Sequence, residues 1–97
     1  MKYRDRIDII SQILKIANGG GVTRTKIMYK ALLSYAQIKE YLMLLTEKDL
    51  LRYDKATQTF KTTEKGLRFL ETYTRMGGMI NELLQQRQMW IQREEEV

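Results

Sequence analysis

The segment TRTKIMYKALLSYAQIKEYLMLL, residues 23–45, ends one short amphipathic helix near Ala31 and begins another at Ser34, with neither proline nor glycine at the break. Two helices joined this tightly have little freedom in the angle between them, so the break constrains everything packed around it. Its cause is local. Thr23 or Thr25 caps the first of the pair, which buries Ile27, Met28 and Ala31 or Leu32, because a hydroxyl before the first turn accepts from its free amides. Ser34 caps the second, and Gln37 three residues on completes a capping box, with Leu32 or Leu33 stapling the turn from outside. Ile38, Leu42 and Leu45 form the inner stripe of this helix, flanked by Tyr41, and the helix runs to about Lys48.

An earlier helix precedes the pair. Ile7, Ile9, Ile10, Ile13, Leu14, Ile16 and Ala17 recur at helical spacing, and Asp5 and Asp8 stand near its start, where the helix dipole favours acids. Asn18 and Gly19-Gly20-Gly21 end it. A longer helix followed by two short ones across a tight turn is the helix-turn-helix plan, which holds the third helix proud enough to enter a major groove. Leu50, Leu51 and Tyr53 then make a short strand, DKATQ a turn, and TFKT a second strand with Phe60 inward: a wing. Thr63 caps a last helix, with Glu64 in its first turn and Gly66 early inside it. Met28, Tyr29 and Tyr41 read as filler at helix junctions.

From Glu64 to about Glu95 this last helix meets no proline and would span about 48 Å at ~1.5 Å per residue. A folded chain of this size has a radius of gyration of only about 13 Å, so the helix projects. Its apolar residues include Phe69, Leu70, Tyr73, Met76, Ile80, Leu83, Leu84, Trp90 and Ile91, spaced in alternating threes and fours and interrupted by Arg87. That is a coiled-coil seam, and a projecting apolar seam requires a second molecule. A homodimer through Leu70, Tyr73, Met76, Gly77, Ile80, Leu83, Leu84, Trp90 and Ile91 follows as the expectation. Gly77-Gly78 leaves two courses open: a kink that folds the end back, or a continuous helix whose bare backbone admits a close partner. The strong helix sequence NELLQQRQMWIQREEE beyond it favours continuity. The expected architecture is mainly α with a small β-hairpin: a winged helix-turn-helix over residues 1–63 and a long C-terminal dimerisation helix over 64–97, continuous or kinked at 77–78.

The charge is concentrated in the body. Residues 1–75 carry 15 Lys/Arg against 8 Asp/Glu, a net +7, whereas residues 76–97 carry 2 against 4. A basic body with a mildly acidic end suits a polyanionic partner. The chain has no cysteine, which excludes disulfides and thiolate metal sites, and no histidine, which removes the commonest general base and metal ligand. No apolar run approaches the ~20 residues of a membrane span. NGGGVT lacks the lysine and preceding strand of a phosphate-binding loop. The expectation is a cytoplasmic, nucleoid-located protein with no catalytic role, cofactor, metal or membrane contact.

The stretch KIMYKALLSYAQIKEYLMLLTEKDLL, a hairpin and TTEKGLRFLE resemble the archaeal ten-kilodalton winged-helix DNA-binding family over roughly residues 7 to 90. The resemblance implies winged-helix dimers joined by an antiparallel coiled coil of their C-terminal helices, binding double-stranded DNA as chromatin-like or regulatory proteins. Asp49 departs from the glycine that many winged-helix proteins carry after the third helix, and Gly77-Gly78 interrupts the coil.

The candidate DNA contacts lie around the third helix. Tyr35, Gln37, Lys39 and Met43 avoid its apolar stripe. Gln37 can pair with the N6 and N7 edge of adenine or simply serve the cap, and Lys39 can reach phosphate or guanine. Tyr35 reads either as core or as part of this face, and Ser34 stands at its head. Glu40 repels phosphate unless it accepts from cytosine. At the start of the second helix, Arg24, Thr25 and Lys26 can clamp a phosphate, and Lys30 extends the patch. In the wing, Lys55, Gln58 and Lys61 reach towards the backbone or minor groove. Arg4 and Arg6 either join this face or solubilise the first helix. The leading expectation is a homodimeric DNA-binding transcription regulator or nucleoid-associated protein. The alternative is a winged-helix module that binds protein without DNA, for which Glu40 and Met43 speak.

Overall fold

The computed structural model describes residues 4–77. Helices α1 (Arg6–Ile16), α2 (Arg24–Ala31) and α3 (Tyr35–Glu47) precede an antiparallel hairpin of β1 (Leu51–Asp54) and β2 (Thr59–Thr62). Helix α4 occupies 64–77 of the described range. The far half of the expected seam, Ile80, Leu83, Leu84, Trp90 and Ile91, lies outside the described residues, as does the course of the chain beyond Gly77.

The predicted capping box at Ser34 forms, and the two acids expected at the start of α1 turn out to make a second one. Asp5 accepts from the Asp8 amide at 2.8 Å while the Asp8 carboxylate accepts from the Asp5 amide at 3.3 Å. Ser34 accepts from the Gln37 amide at 3.2 Å, and Gln37 Oε1 accepts from the Ser34 amide at 3.0 Å. Of the two threonines, Thr23 caps α2, accepting from the Lys26 amide.

The break between α2 and α3 is made by Leu32. It adopts a left-handed backbone, φ 55°, while the Leu33 amide donates to Met28 O and the Leu32 amide to Tyr29 O. This is a Schellman termination, usually built on glycine. The twist throws Leu32 outward, 80 % exposed, and turns Leu33 into the core beside Ala31. The choice left open in the sequence therefore resolves to Ala31. Arg4 ties the turn down, donating to Ala31 O at 2.6 Å, to Leu32 O at 3.3 Å and to Gln12 Oε1 at 2.6 Å. These bonds commit its guanidinium to holding the turn. Helix α3 ends the same way. Asp49 takes φ 61°, and Leu50 and Asp49 donate to Leu45 O and Thr46 O.

Ile9, Ile13, Leu14, Ala17, Ile27, Ala31, Leu33, Ile38, Tyr41, Leu42, Leu45 and Leu51 form one core, with Met28 and Phe60 partly buried against it. Two apolar expectations fail. Ile7 is half exposed and Tyr29 stands 71 % in solvent, because Arg6–Ile16 and Arg24–Ala31 present those positions away from the shared interior.

The wing is anchored at two points along the outer edge of β2. Val22, after the glycine run, forms a bridge with Phe60, the two residues exchanging amide–carbonyl bonds of 3.0 and 2.7 Å. Phe60 thus spends both backbone groups on Val22 and meets Tyr53 as a non-hydrogen-bonded pair, where side chains stand closest. Their rings lie 4.8 Å apart. Buried Thr62 closes the other end, its amide donating to Ala17 O at 3.0 Å and its hydroxyl to Leu14 O at 2.7 Å. Asp54 accepts from the Ala56 amide within the turn, and Gln58 takes φ 54° to leave it.

Helix α4 starts at Thr63, whose hydroxyl accepts from the Gly66 amide and donates to Asp49 O. The Thr63 amide donates to Leu50 O. Gly66 makes this junction possible: a Cβ there would stand 2.4 Å from Leu50 O and 2.7 Å from Thr62 Cγ2. Farther along, the Tyr73 hydroxyl donates to the Asp8 carboxylate and so ties α4 to the start of α1. That bond, with the Asp5 amide second, holds the Asp8 carboxyl below its ordinary range, while the adjacent carboxylate pushes the Tyr73 phenol up.

Candidate nucleic-acid interface

Helix α3 is buried along Ile38, Tyr41, Leu42 and Leu45. At ~100° per residue its outermost crest is therefore Ala36, Glu40, Met43 and Glu47, all exposed. The candidate contacts fall on either side of that crest. On the wing side, Lys39, Leu42, Met43, Thr46 and Glu47 face Arg24, Tyr53 and Phe60 across a groove of about 550 Å³. On the α1 side, Gln37, Glu40, Tyr41 and Leu44 line a second groove with Arg6.

Arg24 is the hub of the wing side. Its guanidinium lies 5.2 Å from the centre of the Tyr35 ring, a cation–π distance. It also borders both the α3 groove and a third hollow containing Thr23, Thr25, Tyr53, Gln58 and Phe60. One side chain thus meets the start of α2, the head of α3 and the wing. The Val22 bridge puts it there, because that bridge pins the chain immediately before α2 to β2. Nothing in the residue pattern around Val22 announced the bridge; a lone β-branched residue after three glycines was the only trace.

The other predicted contacts sort as follows. Tyr35 is 57 % exposed and belongs to the surface. Lys26, Lys30 and Lys55 are exposed but line none of these hollows. Ser34 and the Oε1 of Gln37 are engaged in the cap, so Gln37 could grip adenine with both amide atoms only by giving up one capping bond. Lys61 is not with the rest. Strand alternation turns it, with Arg52, to the face of the hairpin opposite Tyr53 and Phe60, where both line a separate hollow beside α4. Among the dimer candidates, Leu70 is already buried within the single chain and Tyr73 is half buried, Met76 is 54 % exposed, and a Cβ on Gly77 would meet nothing within 4 Å among the described residues.

Among the described residues no group of three or more His, Cys, Asp or Glu could hold a metal, and no helix is long and apolar enough to cross a membrane.

Three helices, a bridge strand and a two-stranded wing define the class, and the winged helix-turn-helix family matches residues 3–81. The chain belongs to that family. No curated protein sequence matches it. Among solved structures, the crystal structure of Sso10a-2, a DNA-binding protein from Sulfolobus solfataricus, superposes with a TM-score of 0.77 at 20 % identity, over 88 % of this chain and 90 % of that one. The archaeal ten-kilodalton resemblance drawn from the sequence thus meets a winged-helix fold of the same kind.

Proposed function

We propose that the protein binds double-stranded DNA as a homodimer, with α3 laid into the major groove and Arg24, Lys26 and Lys39 on the flanking phosphates. The observation that carries this reading is the placement of Arg24, a cation that touches the head of α3 and borders the wing. Phosphates flank a major groove on both sides, so cations belong beside the crest of an inserted helix rather than on it. Arg6 on the α1 side and Arg24 and Lys39 on the wing side have that arrangement. The crest residues Glu40 and Met43 would then meet base edges, the carboxylate accepting from cytosine N4 and the thioether lying against a thymine methyl. The DNA-binding role of Sso10a-2 supports the same reading. Pairing through the C-terminal helices would set two α3 helices at a fixed spacing, and that spacing would predict the half-site separation. A regulator and a nucleoid-associated protein share this geometry and differ in how strongly the crest discriminates among bases.

One observation favours a second reading. The crest carries two carboxylates, Glu40 and Glu47, and the groove beside it is floored by Leu42, Met43, Tyr53 and Phe60. Such a surface also suits an apolar segment of a partner protein. Titrating a labelled duplex at several salt concentrations separates the two. DNA binding gives a log–log slope of about −0.9 per phosphate contacted, and Lys26→Glu with Lys39→Glu weakens it by at least about tenfold. Absence of binding at low salt refutes the DNA reading. Sedimentation at tens of micromolar tests the dimer, and a monomer refutes it.

A further inference from the structure

The outer face of the wing carries charge that the α3 surface does not use. Arg52 and Lys61 stand directly opposite each other across the hairpin, and with Lys65 and Arg68 of α4 they line a hollow of about 470 Å³. Asp49 and Glu64 are the acids there, which leaves a net +2 among these side chains. Like charges directly opposite on neighbouring strands destabilise a hairpin, and Lys65 and Arg68 repeat the juxtaposition one helical turn apart. Lys65 is partly committed, donating to Lys48 O at the end of α3 at 3.0 Å. Arg52, Lys61 and Arg68 are left facing the hollow. An anion between them would relieve their repulsion.

The chemistry of the lining narrows the ligand. Every residue around this hollow is charged or a threonine. A protein partner would need an apolar or aromatic centre to dock, and none is offered. Two guanidinium forks beside ammonium groups match consecutive phosphodiesters. Strand alternation turns the cluster away from the Tyr53–Phe60 face, so it does not point into the groove that α3 would occupy.

We infer that Arg52, Lys61 and Arg68 form a second, sequence-independent site for a nucleic-acid phosphate backbone on the outer face of the wing, separate from the α3 surface. The inference rests on the DNA reading above, because it assigns the second site the same class of ligand. Its test is the salt dependence of binding to a long duplex by the full chain and by Arg52→Gln/Arg68→Gln. Loss of two phosphate contacts lowers the log–log slope by about 1.8 in magnitude, whereas a merely structural effect would change affinity at one salt and leave the slope alone. The complementary variant Lys26→Gln/Lys39→Gln retains residual, salt-sensitive binding through the outer face. An unchanged slope in Arg52→Gln/Arg68→Gln, with wild-type binding intact, overturns the second site and leaves the α3 reading standing. Failure of the wild type to bind at low salt removes the reading on which both depend. Far-UV circular dichroism checks that each variant is folded; a misfolded Gln pair is replaced by Lys61→Gln at an exposed position, which lowers the slope by about 0.9 if the site exists, an unchanged slope again overturning it.

Discussion

Replacing Gly66 by alanine tests how the head is joined to α4. On helix propensity alone the change is favourable by about 1 kcal/mol. The structure reverses that sign. The new Cβ would lie 2.4 Å from Leu50 O, and the gap must open by about 0.6 Å to reach even the 3.0 Å floor of real contacts. Leu50 cannot yield freely: its amide is committed to Leu45 O at 2.8 Å, and its carbonyl accepts from the Thr63 amide at 3.1 Å. The adjustment therefore falls on α4, which moves outward and stretches the Thr63 bond. Overpacking of this kind costs about 1–3 kcal/mol, and a weakened backbone bond adds about 1. After the propensity gain the net loss is about 2 kcal/mol, or roughly 8–16 °C in Tm for a domain of this size. Thermal unfolding followed by circular dichroism reads it, at one fixed protein concentration because association shifts Tm. Gly77→Ala is the comparison: its Cβ meets nothing within 4 Å among the described residues, so with that face open it raises Tm by about 4–8 °C, whereas a partner helix seated there in the proposed dimer reverses the sign. A Gly66→Ala protein melting at or above the wild type would refute the close approach. A fall in Gly77→Ala would mean that residues outside the described range, of this chain or of a second copy, pack there.

Three further outcomes follow from individual contacts. Leu32→Gly removes a left-handed strain of about 1–2 kcal/mol against an entropic cost of about 0.5–1; with the side chain 80 % exposed little burial is lost, so the urea midpoint should rise and a fall would contradict the account of the turn. Thr62→Val keeps the shape but loses the bond to Leu14 O, lowering stability by about 1–2 kcal/mol, seen as a shifted denaturant midpoint at constant slope. Tyr73→Phe removes the bond that lowers the Asp8 carboxyl from 3.8 and raises the Tyr73 phenol from 10.0. The Asp8 contribution is present above the unfolded carboxyl pKa and is lost as pH falls through the lower folded value. The Tyr73 contribution is present below the unfolded phenol pKa and is lost as pH rises through the higher folded one. The stability gap between wild type and Tyr73→Phe should thus be widest near neutrality and narrow towards both extremes; a gap independent of pH would remove the charge-assisted bond from the account.

What could be read from the sequence was what is decided within one turn of chain. Ser34 with Gln37 is a capping box whose partners stand three residues apart, Asp5 and Asp8 were legible as the acids at a helix start though not as the reciprocal pair they form, and the Asp54–Gln58 turn carries its own side-chain bond. Features decided by distant partners were not legible. Leu32 and Leu33 are chemically identical, and only the backbone hand at Leu32 says which one is buried. Arg4 looks like any N-terminal cation until the carbonyls of Ala31 and Leu32 arrive beside it. Tyr29 and Tyr41 both read as filler at helix junctions, yet Tyr29 is solvated and only Tyr41, beside the Ile38–Leu42–Leu45 stripe, is core.

The candidate site shows the same division in its electrostatics. A net charge of +7 on residues 1–75 locates cations along the chain but not around it. On α3, the step from Lys39 to Glu40 is about 100°, enough to move from the flank facing Arg24 to the crest. In the hairpin, the step from Phe60 to Lys61 crosses from the face of the wing towards α3 to the face beside α4. The wing lysine grouped with Gln58 on sequence proximity is therefore separated from it by the thickness of the sheet, while Arg52, not counted among the contacts at all, stands directly across from it. Where two cations share a face, their fields add at a bound phosphate. On opposite faces they serve different phosphates, and a single sum of charge conceals that there are two surfaces to test.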